Sequence, residues 1–305
     1  MQTILGAGGA IGITLAKELL NYTDKVRLAG RNPQNVNSDD ELIKTDLTNQ
    51  HQTIDAVEGS DIVYLVVGLK YDLNIWLAQW PVIMNNVINA CIKHKTKLVF
   101  FDNVYMYGRV TGRMTETTPF NPCSKKGELR ARIAQMLINE YEKKNLDAVI
   151  ARAADFYGPN IKSSVFNKLV IDNLKKGKNA NWLVNDKVKH SYTYTPDAAK
   201  AVALIGNAPE AFNQTWHLPT HREALTGEDY IKLTAEILSV PAKWSVYKKW
   251  QLKLAGLFNS DIKESYEMLY QSEYEYLFDS TKFEDYFKFR PTSYHNGIKT
   301  SVKSL

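Results

Sequence analysis

Residues 6–12 read Gly6-Ala7-Gly8-Gly9-Ala10-Ile11-Gly12, set between an apolar run at residues 3–5 and a segment that repeats apolar side chains at Ile11, Leu15 and Leu19. The run has the character of a buried strand, and the repeat has the spacing of an amphipathic helix. Glycines at such a junction permit a tight turn and close packing of helix on strand. They also leave backbone N–H groups bare at a helix N-terminus, whose dipole favours negative charge. An anion is therefore expected against Gly6, Gly9, Ala10, Ile11 and Gly12. The spacing is G-x-x-G-x-x-G and fits G-x-G-x-x-G in neither frame. A glycine-rich turn can precede any helix; the strand before this one is what points to a nucleotide.

Outward from the turn the alternation continues. Apolar segments at residues 26–29, 62–67 and 98–101 alternate with helix-period segments such as 82–92. A helix at residues 128–144, with Leu129, Ile133, Met136, Leu137 and Tyr141 on one face, leads to a further strand at 148–152. Strands that are apolar without alternation belong to a sheet covered on both faces. The pattern predicts an α/β fold built on a doubly wound parallel sheet. Beyond Asp155 the chain turns aromatic, with Trp182, Trp216, Trp244, Trp250 and a tyrosine-dense stretch at 266–276. The expected organisation is a dinucleotide-binding domain over residues 1–155 and a mainly substrate-binding lobe over 156–305. Residues 186–206 return to the first domain through a helix opened by Pro196-Asp197.

The second strand ends Leu28-Ala29-Gly30-Arg31-Asn32, where an acidic residue would take a free ribose 2′-hydroxyl. A guanidinium pairs instead with a 2′-phosphate, so Arg31 favours NADP(H). NAD(H) is the alternative, with Arg31 then an ordinary surface residue. Asp46, followed by Leu47 after the third strand, is placed either to meet the adenine amino group or to cap a turn. Val67 and Gly68 close the fourth strand, at the carboxyl edge where nicotinamide and substrate are expected. Trp76 and Trp80 follow, as a pocket wall or as core.

Composition narrows the partners. The 38 basic and 33 acidic side chains give a formal charge of +5, and the basic ones are scattered in pairs such as Lys143-Lys144 and Lys248-Lys249, which argues against a nucleic-acid partner. Cys91 and Cys123 offer no disulfide framework, and no Cys/His cluster has metal-ligand spacing. No apolar run approaches the roughly 18 residues of a membrane span, and no cleavable leader pattern opens the chain. A cytoplasmic protein with no membrane partner and a small-molecule substrate is expected.

The same pieces are joined by Asp61-Ile62-Val63, Val104-Tyr105-Met106-Tyr107-Gly108, Arg152-Ala153-Ala154-Asp155-Phe156-Tyr157-Gly158-Pro159, Tyr192-Thr193-Tyr194-Thr195-Pro196-Asp197 and Asp279-Ser280-Thr281-Lys282-Phe283. In this order, over nearly the whole chain, they resemble the extended short-chain dehydrogenase/reductases of the nucleotide-sugar epimerase/dehydratase branch. The resemblance implies a Rossmann lobe, a smaller C-terminal substrate lobe, and hydride transfer to or from a carbonyl or secondary alcohol. It also implies a homodimer as one assembly open to the chain.

The proton chemistry of that family needs a Ser/Thr, a Tyr, and a Lys four residues later. None stands in its place. The Ser/Thr position falls on Asn103, and the Tyr-x-x-x-Lys pair falls on Lys126 and Arg130. Asn103 either orients a substrate oxygen or pins the turn after the strand. Lys126, beside the Arg130 cation and an oxidised nicotinamide, is expected to exchange the proton, while Arg130 holds an oxyanion or phosphate. The plainer alternative leaves both solvated on a first helical turn. Tyr105 is a further proton-transfer candidate. Asp155 and His190 are also placed for it, with a turn residue and a structural histidine as the duller accounts. The leading expectation is an NADP(H)-dependent oxidoreductase or epimerase-like enzyme. The rival is a non-catalytic dinucleotide-binding sensor left by the missing triad.

Overall fold

The computed structural model describes residues 1–9 and 11–304. The chain divides into two compact units, the first made of Met1–Asn103, Glu128–Arg152 and Ala198–Leu218. Among the described residues of this unit, seven strands form one parallel sheet. Their order is Gln214–His217, Ala148–Arg152, Lys97–Asp102 (β5), Ile62–Leu65 (β4), Gln2–Leu5 (β1), Val26–Gly30 (β2) and Glu41–Lys44 (β3). In β1, Ile4 lies opposite Leu28 of β2 on one side and Tyr64 of β4 on the other. The strand order therefore reverses between β1 and β4, and the carboxyl end of such a switch point is where open parallel sheets take ligands.

The helices of the sheet are Gly12–Leu19 (α1), Gln50–Val57 (α2), Leu73–His94 (α3), Lys125–Glu142 (α4) and Thr195–Gly206. Leu15 and Leu19 of α1, Ile83 and Val87 of α3, and Ile133 and Leu137 of α4 are buried, as are Ile4, Leu28, Val63, Val99 and Ile150 in the strands. That is the two-sided burial the unbroken apolar strands imply. Helix α3 starts well before residue 82, because Asp72 caps it by accepting from the Asn74 and Ile75 N–H groups at 2.9 and 3.1 Å. Trp216, expected among the aromatics of the second lobe, instead lies in the strand Gln214–His217 of the first unit, where its indole N–H donates to Ala211 O at 2.9 Å. Relative to the expected 1–155 with 186–206 returning, this unit omits 104–127, 153–155 and 186–197 and adds 207–218.

The second unit comprises Val104–Gly127, Ala153–Asp197 and Pro219–Leu305. Its strands are short and pair two by two, among them Asp155–Tyr157 parallel with Tyr192–Tyr194, and Ala180–Leu183 parallel with Trp244–Tyr247. Aromatic rings fill its core. Tyr157, Phe166, Tyr192, Tyr230 and Tyr294 are all buried together, with Tyr230 and Tyr294 edge to face at 5.0 Å between centroids. Burial pushes the hydroxyls of Tyr157, Tyr192 and Tyr230 well above the usual phenol range, so these are neutral packing groups.

Candidate functional site

The glycine turn falls at the switch point. Gly6 has φ +96°, and a Cβ there would meet Val67 N at 2.6 Å, while its N–H donates to Ala29 O at 2.9 Å. Gly12 opens α1 so close to the turn that a Cβ would meet Ala7 O at 2.5 Å. Gly8 and Gly9 are different. A Cβ at Gly8 would meet nothing within 4 Å, and one at Gly9 would meet Gly6 O at 3.5 Å, an ordinary contact. The protein's own packing requires glycine at positions 6 and 12, leaves open room at 8 and admits a Cβ at 9. Ala10 lies outside the described residues. Ile11 is buried at the N-cap of α1, and no side chain caps that helix, whereas Asn49 caps α2 and Asp72 caps α3. Among the described residues, α1 thus presents an uncapped N-terminus beside an open turn. These are the donors and the space that an anionic group such as a diphosphate needs.

Around the turn, Val67 is half-buried, Gly68 is exposed and Arg31 is exposed just past β2. Asp46 Oδ1 accepts from Thr48 N–H at 2.9 Å and from Thr48 Oγ1 at 2.7 Å. These bonds hold its carboxyl below the usual range, with the nearby Arg31 charge adding a smaller effect against a slight burial penalty. Asp46 thus closes the turn after β3 through Oδ1, and Arg31 is its electrostatic neighbour. Leu47 is buried, and its carbonyl accepts from Asn86 Nδ2 at 2.9 Å.

The substituted triad positions are tied down by the chain. Asn103 is half-buried after β5, and its N–H donates to Asp102 Oδ1 at 2.8 Å. The same oxygen accepts Arg130 Nε at 2.9 Å and Arg130 Nη2. Arg130 is 3% exposed, with its guanidinium 4.4 Å from the Trp80 ring centre and 5.1 Å from that of Phe100. Arg152, 1% exposed, brings Nε to 3.8 Å from Asp102 Oδ2. Arg130 is therefore neither solvated nor turned outward to an oxyanion along its Nε–Nη2 edge; it is a buried ion-pair partner, and Trp80 is part of its packing.

Lys126 is 1% exposed, and its Nζ donates to Glu264 Oε2 at 2.7 Å, Glu264 O at 2.9 Å and Glu267 Oε1 at 3.1 Å. Two carboxylates, rather than the expected cation, surround the ammonium, and three acceptors take up its three protons. Glu267 Oε2 also accepts the Lys125 N–H at 2.7 Å, at the head of α4. Asp102, Glu264 and Glu267 escape a sequence reading. A buried cation needs a carboxylate partner, but Glu264 is 138 residues away.

In the second unit the structure joins two residues that the sequence treats separately. His190 Nε2 lies 3.0 Å from Asp155 Oδ2, and His190 Nδ1 lies 3.1 Å from Gln271 O. A carbonyl only accepts, so the tautomer with a proton on Nδ1 is the one that satisfies Gln271 O. The imidazole is sandwiched between Tyr276 at 4.4 Å and Tyr192 at 4.6 Å. His190 is buried, while the Asp155 side chain is 36% exposed. Tyr270 and Tyr276 belong to the same cluster. Burial raises both hydroxyls, and the neighbouring Asp155 and Tyr105 add to it, so neither holds a phenolate near neutral pH. Tyr105 is half-buried on the turn Tyr105–Tyr107. A cleft lined by Arg109, Tyr270, Tyr274 and Tyr276 opens in this unit, with the Arg109 guanidinium 3.4 Å from the Tyr274 ring centre.

A family model described as the NAD dependent epimerase/dehydratase family matches residues 3–218. No curated protein sequence matches the chain. Solved structures share its fold. The dTDP-glucose 4,6-dehydratase of Bacillus anthracis, in complex with NAD, superposes with a TM-score of 0.82 at 14% identity, covering 99% of this chain and 95% of the other. UDP-glucose 4-epimerase of Thermus thermophilus, complexed with NAD, gives 0.80 at 16% identity over 100% and 98%. UDP-glucuronic acid 4-epimerase of Bacillus cereus, also complexed with NAD, gives 0.80 at 17% identity over 100% and 98%.

Proposed function

The chain belongs to the NAD dependent epimerase/dehydratase family, and from that premise we propose that it is a nicotinamide-dependent oxidoreductase or epimerase-like enzyme acting on a carbonyl or secondary alcohol of a small polar substrate. The observation that carries this reading is the uncapped α1 beside the open position Gly8 and a Gly9 that the fold itself does not require. Residues 6–12 would hold the diphosphate, Val67 and Gly68 would border the nicotinamide half, and Arg31 would meet the adenosine ribose. When bound, the cofactor supplies hydride exchange. The fold neighbours are named for nucleotide-sugar substrates, and that class is the first to assay.

Arg31 makes NADP(H) the preferred form in this reading, although the three neighbours named above were each solved with NAD. A guanidinium–phosphate pair contributes about 1.5–3 kcal/mol, roughly tenfold to a hundredfold in affinity. In calorimetric titration, Arg31→Ala is expected to weaken NADP⁺ by that factor and to leave NAD⁺ within about twofold. An equal loss for both would remove Arg31 as the reader of the 2′-phosphate.

We assign the proton to Asp155 backed by His190, because Lys126 has its donors committed to Glu264 and Glu267. Asp155→Asn is expected to lower kcat by about a hundredfold or more while leaving cofactor affinity unchanged. Lys126→Met, by contrast, strands two carboxylates and is expected to cost about 3 kcal/mol of stability, yet to keep turnover where it is folded. NADPH consumption with simple carbonyls and product formation from nucleotide sugars, which an epimerase achieves with no net change in its cofactor, are followed beside a denaturation curve for each variant and measure both. The opposite pattern would return the proton to Lys126. The burial of Lys126 and Arg130 in ion pairs also suits the non-catalytic sensor, which binds the dinucleotide and converts no substrate.

A further inference from the structure

Residues 248–263 read Lys248-Lys249-Trp250-Gln251-Leu252-Lys253-Leu254-Ala255-Gly256-Leu257-Phe258-Asn259-Ser260-Asp261-Ile262-Lys263. The helix Lys249–Ala255 runs on through turns in which the Leu257 and Phe258 N–H groups each donate at 3.1 Å, to Leu254 O and Ala255 O. At 3.6 residues per turn, Trp250 and Leu254 share one side of the helix and Leu252 lies opposite, and Leu257 and Phe258 follow in the turn that ends it. Burial follows that division. Leu252 is 8% exposed, whereas Trp250 is 63%, Leu254 54%, Leu257 74% and Phe258 93% exposed. Single exposed apolar side chains are ordinary, but four within nine residues make the kind of patch that marks an interaction site.

The charge around the patch selects what covers it. Lys248, Lys249, Lys253 and Lys263 stand against Asp261 alone in these sixteen positions. Lys249 is paired with Glu273, while Lys248, Lys253 and Lys263 are exposed. We propose that this face rests on an anionic lipid surface. Trp250, Leu254, Leu257 and Phe258 enter the boundary between headgroups and acyl chains, and Lys248, Lys253 and Lys263 meet headgroup phosphates. A tryptophan beside leucine and phenylalanine, rimmed by lysine, is the composition of a helix lying in that plane. A second copy suits the patch less well, because a two-fold contact would set the lysine rim against its own image. The expectation of no membrane partner rested on spanning segments, and no helix among the described residues is long and apolar enough to cross a bilayer. A helix lying on the surface needs only one apolar side. The inference stands apart from the dinucleotide reading.

The test is cosedimentation of the full chain with extruded vesicles of phosphatidylcholine alone or mixed with phosphatidylglycerol. Binding to the anionic vesicles is expected to be stronger by about tenfold or more and to weaken as salt is raised. Lys253→Glu is expected to lower it by roughly fivefold or more. Leu257→Asp combined with Phe258→Asp is expected to abolish it without shifting the melting temperature, since both side chains are exposed. The proposal is overturned if the wild-type chain ignores anionic vesicles or if the double aspartate variant binds as well as wild type. It is also overturned if light scattering finds a dimer that the same double variant dissolves, which would assign the face to a second copy.

Discussion

Asp102→Ala is expected to destabilise the protein by about 3–5 kcal/mol, a large part of the ~5–15 kcal/mol that holds a domain folded. Asp102 is completely buried at the end of β5 and accepts from Arg130 through both Nε and Nη2, with Arg152 Nε at 3.8 Å from its other oxygen. Removing the carboxylate leaves two guanidinium groups in a space that water does not reach. Arg130, clamped over Trp80 and Phe100, has no route to solvent without breaking that packing. Asp102→Asn keeps the shape and one acceptor and is expected to cost less. Urea denaturation of the three proteins measures the series. A loss within about 1 kcal/mol for alanine would mean that the two cations find other acceptors.

Gly9→Val is expected to act in the opposite way, with little effect on folding and a fall of about a hundredfold in dinucleotide affinity. Among the described residues, a Cβ at Gly9 meets Gly6 O at 3.5 Å and Val66 O at 3.8 Å, ordinary contacts, so the fold accepts the first carbon of a side chain there. The added carbons would stand where a diphosphate must approach the N–H groups of the turn. Each lost charge-assisted hydrogen bond costs about 1.5–3 kcal/mol, and about 1.4 kcal/mol is tenfold. Gly6→Val is the contrasting control, because its Cβ would press on Val67 from a backbone at φ +96°, and it is expected to impair folding itself. Thermal melts and dinucleotide titrations of both variants separate the two roles. A Gly9 variant that unfolds, or one that binds as wild type, would contradict the assignment.

Much of the architecture is legible in the sequence, because buried parallel strands are apolar throughout and the glycine turn marks the first crossover. The runs at 26–29, 62–67, 98–101 and 148–152 all lie in strands of the sheet or at their ends. What the sequence leaves open is whatever depends on a distant partner. The seven-residue turn looks uniform until Val67 and the Ala7 backbone are seen to force glycine at two positions and not at the others. Lys126 and Arg130 read as an exposed or reactive pair, since nothing local announces Glu264, Glu267 or Asp102. Asp155 and His190 are 35 residues apart, and only the pairing of their neighbouring strands makes them one group. Trp216 and Trp250 look alike as aromatics, yet the first is buried in a strand and the second is 63% exposed. Periodicity marks an apolar side without saying what it faces.

The measurement closest to the centre of the account is calorimetric titration of the intact protein with NADP⁺ and with NAD⁺. Saturable binding at one site, tighter for the phosphorylated form and lost in Gly9→Val, is the expected result. Absence of heat or saturation with either dinucleotide, under conditions where the protein is folded, would contradict the assignment of residues 6–12 to a diphosphate and every role derived from it.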